Sequence, residues 1–536
     1  MKKLLALVLA MVMCLSLLAA CGNKEDTANT DTKPGTANTD TKPGTSNPGT
    51  ADADEETYQE TITIAYASDV SEFDFYQGKG GSSAKIFSNM VHDDLAYYDP
   101  FAGTLTWKLA TSIEQGADAT VWTIKLREGV VSHDGKPLTA EDLIYTFDKV
   151  IDGTQVKMPA SALANVYEAG NCKKIDDLTV EVKLKNPAVD FPYIAAEIRL
   201  YSKEAFDAGV ENAGWIGFGP MKYHSNTPGV EYKVERFDDY YEGARKTKYI
   251  VVRTMPELDS QLAALQAGEI YWYGSMRTSD MPVFDEDETI DYHLVPGTCV
   301  YSMNWNYNSK YAQDPYILEA VAMCVDKEAV NMAMVEGLGE PVANVVSDAC
   351  PDYVEVEEAF PYDLEKAKAT LAKSSFKPEE IELTVLYYAW CKPVAEVIQF
   401  SIEQLGIKTV MREVDGSSFR IAAQEGNFDV TCTYYDCSAN INYLINRLFR
   451  VDGGANYYGY QPTAEIKALL DKYDAEATTA EKAMAISAEL QKACAKDPHY
   501  VALIKDCDVL PYASALQGFE GYTIGFNDMS RIYVVE

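Results

Sequence analysis

Apolar positions fall into three regimes along the chain. Leu4 to Leu18 is a nearly continuous apolar run behind Met1-Lys2-Lys3, long enough for a signal-peptide core and short of a membrane span. Gly22 to about Tyr58 carries almost nothing large and apolar and repeats one string, Thr27 to Gly35 and again Thr36 to Gly44. Such a segment cannot bury enough surface to offset its ordering entropy, so it predicts a flexible tether. After Tyr58 the pattern becomes periodic. Alternation predicts strands at Thr61–Tyr66, Thr120–Leu126, Leu178–Leu184, Glu382–Tyr388, Ile407–Val414 and Asn427–Tyr435. Helical spacing predicts helices at Ala84–Val91, Leu143–Val150, Glu257–Gln266, Asp314–Glu336, Leu364–Leu371, Val394–Gln404, Pro462–Tyr473 and Thr479–Lys496. Thr139-Ala-Glu-Asp142 reads as a capping box, and Gly268 and Gly406 as helix stops. Strands alternating with helices predict α/β layers.

The apolar start ends in Leu18-Ala19-Ala20-Cys21-Gly22, which resembles the bacterial lipobox; on that reading Cys21 receives a diacylglyceryl group and becomes the first residue after cleavage. No later stretch reaches eighteen uninterrupted apolar residues, so the lipid is the expected membrane contact. Charge narrows the partners. Asp plus Glu number 82 against 46 Lys plus Arg, a formal net charge of -36, where nucleic-acid binding needs a basic footprint. Five histidines argue against a multi-histidine metal site, and 36 tyrosines point to wet aromatic surfaces.

No cofactor or catalytic signature emerges. HExxH and GxSxG are absent, and Gly78-Lys-Gly-Gly-Ser-Ser83 lacks the GxxxxGK[ST] order of a phosphate cradle. Backbone N–H groups near Ser82, where that loop enters a helix, remain candidates for a ligand carboxylate or carbonyl. Of eleven cysteines, Cys14 leaves with the signal and Cys21 is the lipidation candidate; the other nine cannot all pair internally and read mainly as small buried side chains. Cys432 and Cys437 alone are too few for a zinc site.

Several segments, in order, resemble the extracellular family 5 solute-binding proteins of peptide and nickel ABC importers. The most specific runs from Val121-Trp-Thr-Ile-Lys-Leu-Arg-Glu-Gly-Val130 through His133-Asp-Gly-Lys-Pro-Leu-Thr-Ala-Glu-Asp-Leu-Ile-Tyr-Thr-Phe147. Gly217-Phe-Gly-Pro-Met-Lys222, Glu235-Arg-Phe-Asp-Asp-Tyr-Tyr-Glu-Gly243, Leu265-Gln-Ala-Gly-Glu-Ile270, Ala322-Met-Cys-Val-Asp-Lys327 and Tyr362-Asp-Leu-Glu-Lys-Ala-Lys368 follow. The resemblance spans roughly Tyr58 to Glu536.

It implies an α/β fold of two hinge-closing lobes, the periplasmic-binding-protein type II arrangement, with an extra subdomain inserted in the first lobe. The implied boundaries are 1–20 signal, 21–57 tether, 58–95 with 213–300 and 507–536 for lobe I, 96–212 for the insertion and 301–506 for lobe II. The implied role is a lipid-anchored, monomeric, non-enzymatic receptor. It captures a short peptide or other amine-bearing solute between the lobes and hands it to an ABC permease; an oligosaccharide, a metal chelate or a cell-surface hydrolase are the alternatives. In peptide-binding members an aspartate after a second-lobe strand grips the peptide α-amino group, and Asp436 matches it. Tyr301, Asn304, Trp305 and Tyr434 are expected around the ligand, with Tyr435 as a further aromatic wall. Val430 to Tyr435 holds no arginine, so Lys392 is the candidate partner for a ligand carboxylate. The address generates its own test: Cys21→Ser should abolish labelling by radioactive lipid and release the chain from the membrane fraction. Undiminished labelling would contradict it.

Overall fold

Ile62 and Ile64 alternate inward along β1 (Thr61–Tyr66), and this local pattern seeds the first sheet. The computed structural model describes residues 56–70, 82–99, 104–151, 160–274, 277–416, 418–436, 441–521 and 528–536, so Cys21, the tether, the Gly78–Ser83 loop up to residue 81, and Cys437 lie outside them. Strands are numbered along the chain. β1 pairs in parallel with β10 (Tyr249–Thr254), followed by antiparallel β9 (Glu231–Arg236) and β8 (Met221–Thr227). The helix Ser82–Val91 covers this sheet, with Phe87 edge-on to Tyr232 at 5.4 Å between centroids.

Two of the sequence motifs meet at the end of that helix. A Cβ on Gly217 or Gly219 would come within 2.4 Å or 2.6 Å of the Val91 carbonyl oxygen, so only glycine allows the approach that brings Gly219 N–H onto it at 3.0 Å. His133 accepts Gly217 N–H on Nδ1 (3.3 Å) and reaches the Gly219 carbonyl from Nε2 (3.0 Å). Burial pushes this imidazole down to about 3, which keeps it neutral and able to do both. The His-Asp-Gly and Gly-Phe-Gly-Pro segments are thus a structural lock.

β2 (Ala96–Asp99) and β3 (Thr104–Trp107) pair antiparallel. β4 (Ala110–Gln115), β5 (Val121–Leu126), β6 (Tyr167–Asp176) and β7 (Thr179–Leu184) form an antiparallel sheet in the order β4-β5-β7-β6. Trp122, Ile124 and Leu126 point inward with Val180 and Val182, under the helix Ala140–Val150. At its start Asp142 accepts the Thr139 N–H at 2.8 Å, the return half of the capping box. Ile441 and Ala483, distant in sequence, complete this core.

The largest sheet has the order β12-β16-β11-β15-β13-β14, built from β11 (Ile290–Trp305), β12 (Glu340–Pro341), β13 (Glu382–Tyr388), β14 (Lys408–Val414), β15 (Val430–Tyr435) and β16 (Tyr500–Ala513). β13 lies parallel to β14 and β15; β11 lies antiparallel to β15 and β16. Strand parity splits its side chains between two cores. Tyr301, Met303, Trp305, Val385 and Cys432 join the helices Pro315–Cys324 and Lys392–Glu403, while Val300, Leu386, Tyr435 and Ala502 join the helix Ala480–Cys494.

The single helix expected over Asp314–Glu336 is two. It breaks at Val325–Asp326 because Asp326 caps the second helix, Lys327–Val335, accepting Glu328 N–H at 3.0 Å and Ala329 N–H at 3.4 Å. The strand expected from Asn427 begins at Val430. Before it, the Asp429 carboxylate is drawn sideways to Thr384 N–H (2.8 Å) and Ser309 Oγ (2.5 Å). Among the described residues no helix is long and apolar enough to cross a membrane.

Candidate functional site

β11 and β16 are the longest strands, and their pairing skips register between Pro296 and Val300. The skip is a β-bulge, and it places Gly297, Thr298 and Cys299 beside the end of β15. Asp506 of β16 occupies the space a Gly297 side chain would need: a Cβ there would stand 1.7 Å from Asp506 Oδ1. Thr298 Oγ1 donates to Asp436 Oδ1 at 2.7 Å, fixing the carboxylate just past the last residue of β15. Asp436 is exposed, and among the described residues no lysine or arginine nitrogen stands within 4.0 Å of it.

Further carboxylates crowd this point. Burial, the neighbouring Asp508 and then Asp436 push Asp506 up to about 7; its Oδ1 is buried without a hydrogen-bond partner among the described residues. Glu197, just after the helix Phe191–Ala196, is also raised by burial, with Asp94 and Asp436 adding to the shift and Lys85 and Arg199 opposing it. The Cys299 thiol is pushed well above its ordinary value by burial and by Asp436, Asp506 and Asp508. Carboxylates from three separated parts of the chain therefore feel one another, and a cation between them would relieve that repulsion.

Aromatic rings form the adjoining wall. Trp390, 60% exposed, donates its Nε1–H to the Tyr301 hydroxyl at 2.7 Å. The Tyr301 and Tyr434 rings lie 5.5 Å apart, and Tyr388 is 6.3 Å from Tyr434. Tyr434 is 37% exposed, whereas Tyr301 is buried beneath it and Trp390.

The structure therefore brings together Asp436, Tyr434 and Tyr301 and separates the rest. One residue on from Tyr434, Tyr435 points to the opposite sheet face, 8% exposed, its hydroxyl 3.3 Å from that of Tyr458. Asn304 is fully buried on that same face, 3.5 Å from the Tyr435 hydroxyl. Trp305 is 1% exposed and fills the core against the helices. These three side chains are buried in the sheet's two cores. Lys392 is exposed at the start of its helix, beside Cys391 and two residues from Trp390. Ser82 begins the first helix, and its side chain is outside the described set. Sequence reasoning missed Trp390, Thr298, Asp506 and Glu197. Only Trp390 left a signal, a large aromatic in a turn next to the suspected Lys392.

Mixed α/β layers, the long paired strands β11 and β16, and carboxylates and aromatic rings gathered at their bulge make up this part of the chain. Residues 104–450 match the family model described as bacterial extracellular solute-binding proteins, family 5, middle region, and the chain belongs to that family. It is a binding protein rather than an enzyme, and the family works outside the cytoplasm. The dipeptide-binding protein of Escherichia coli (strain K12) is 24% identical over 376 residues, covering 64% of this chain and 69% of that one. Among solved structures, the ABC transporter substrate-binding protein CtaP of Listeria monocytogenes superposes with a TM-score of 0.80 at 22% identity, over 90% of this chain and 100% of that one. The binding protein DppA of Helicobacter pylori, in complex with the peptide STSA, gives 0.74 at 19% identity, over 90% and 99%.

Asp506 makes a pH prediction. Its folded value lies above the ordinary 3.8, so the folded chain holds a proton there that the unfolded chain releases. That stabilisation is complete below about 3.8 and is lost as pH rises through about 7. Asp506→Asn should therefore gain melting temperature relative to the parent as pH rises across this window. Parallel melting curves at every pH would show that Asp506 is not the group responsible.

Proposed function

We propose that this chain is the receptor of an ABC importer for short peptides or other amine-bearing solutes. The observation that carries the reading is Asp436: an exposed carboxylate, oriented by Thr298, with no basic side chain among the described residues to neutralise it. A ligand ammonium at that carboxylate makes a charge-assisted hydrogen bond worth about 1.5–3 kcal/mol. Tyr434 and Trp390 flank the bound molecule, and Tyr301 backs them. Lys392 meets a ligand carboxylate, and backbone N–H groups near Ser82 meet a second polar group. Names of relatives support the ligand class: the Escherichia coli protein is called dipeptide-binding, and the Helicobacter pylori structure holds a peptide.

The remaining parts follow from this role. Cys21 carries the lipid, residues 21–57 are the tether, and the monomeric receptor delivers its ligand to a permease in the membrane. Lobe I comprises 58–95, 213–300 and 507–536, with 96–212 inserted; lobe II comprises 301–506. Both boundaries between the lobes then fall inside β11 and β16, so these strands are the hinge. Oligosaccharides stacked on Trp390 and Tyr434 are the competing ligand class, since both rings are exposed.

A thermal-shift panel separates the two. Short peptides should raise the melting temperature through mass action, and Asp436→Asn should weaken peptide affinity at least about tenfold. Stabilisation by oligosaccharides and none by peptides would overturn the ligand class while leaving the fold intact.

A further inference from the structure

Two cysteines meet directly beneath the aromatic wall. Cys432 is the third residue of β15, and Cys391 closes the turn that joins β13 to the helix Lys392–Glu403. β13 and β15 are parallel neighbours, in register at Val385↔Val430 and Leu386↔Thr431, so the turn after β13 folds back over β15. Cys432 Sγ donates to the Cys391 carbonyl oxygen at 3.4 Å, and both side chains are fully buried in the same core.

We propose that Cys391 and Cys432 form a dithiol–disulfide couple, a redox modification site built into the floor of the ligand wall. The two thiols are matched for it. Hydrogen bonding from Cys432 lowers Cys391, while burial holds Cys432 well above the ordinary value. Cys391 is then the attacking thiolate and Cys432 the resolving thiol. With a small disulfide as oxidant, the Cys391 thiolate attacks one sulfur and expels one thiolate, giving a mixed disulfide. Cys432 gives up its proton and attacks Cys391 Sγ, expelling the second thiolate. The cysteine pair loses two electrons and two protons, and the oxidant leaves as two thiols. Because neither thiol reaches solvent in the folded chain, the first step waits on local opening of the 389–391 turn, so conversion is slow without denaturing the protein.

The consequence lies one residue away. Cys391 adjoins Trp390, whose indole is bonded to Tyr301, and Cys432 lies two residues before Tyr434. A Cys391–Cys432 bond ties the Trp390 turn to the strand that carries Tyr434 and leads to Asp436. Oxidation thereby fixes the spacing of the wall.

The test uses the full folded chain. It is incubated in glutathione buffers of increasing oxidised fraction, then unfolded, alkylated and mapped by mass spectrometry without reduction. The expected result is one linked peptide pair, Cys391–Cys432, lighter by two hydrogens, with loss of alkylation at both positions as the buffer becomes oxidising. In Cys432→Ala the reaction should stop at a glutathione adduct on Cys391. Full alkylation of both cysteines in the most oxidising buffer, or linkage of either to another cysteine instead, would overturn the proposal.

Discussion

The structure turns on the contact between Asp506 and Gly297. β11 and β16 run side by side from Ile290↔Ala513 to Asn304↔Tyr500, and a carboxylate must fit where their pairing slips. It fits because Gly297 has no Cβ, and the bulge that results delivers Thr298 to Asp436. The register slip between the two long strands is therefore also the feature that orients the Asp436 carboxylate. Any side chain at 297 would displace Asp506, and with it the environment of Cys299 and Asp436.

The carboxylates around Asp436 repel one another. Asp506 carries a buried oxygen without a partner among the described residues, and Glu197 is raised by the same burial and by Asp436. Burying carboxylates near one another costs free energy that protonation relieves only in part. A cation at Asp436 would lower that cost, which is the electrostatic basis of the proposal that the ligand bears an amine. The aromatic wall adds contact area with little rotamer entropy to lose, because Tyr301 is pinned by Trp390 and packed under Tyr434.

Local features of the fold were legible in the sequence. The inward alternation of β5 and the return bond of Asp142 depend on neighbours a few residues away, and each lies where the pattern indicated. Where the choice depends on strand parity or distant partners, local pattern does not decide it. Tyr434 and Tyr435 are equivalent in composition, yet one residue of strand separates an exposed ring from a core ring. Trp305 and Asn304 sit next to the wall in sequence but belong to opposite buried faces. Glu197 and Asp506 lie far from Asp436 in the chain, and no local signal links them. Asp326 shows the remaining kind of miss: apolar periodicity continued through a residue whose side chain was already capping a new helix.

In the proposed function one carboxylate, Asp436, selects for a free amine. Calorimetric titration of a short peptide and its N-acetylated form tests it directly. The free peptide should bind, and acetylation should cost roughly ten- to a hundredfold in affinity, the equivalent of one charge-assisted hydrogen bond. Equal affinity for the two forms would contradict it.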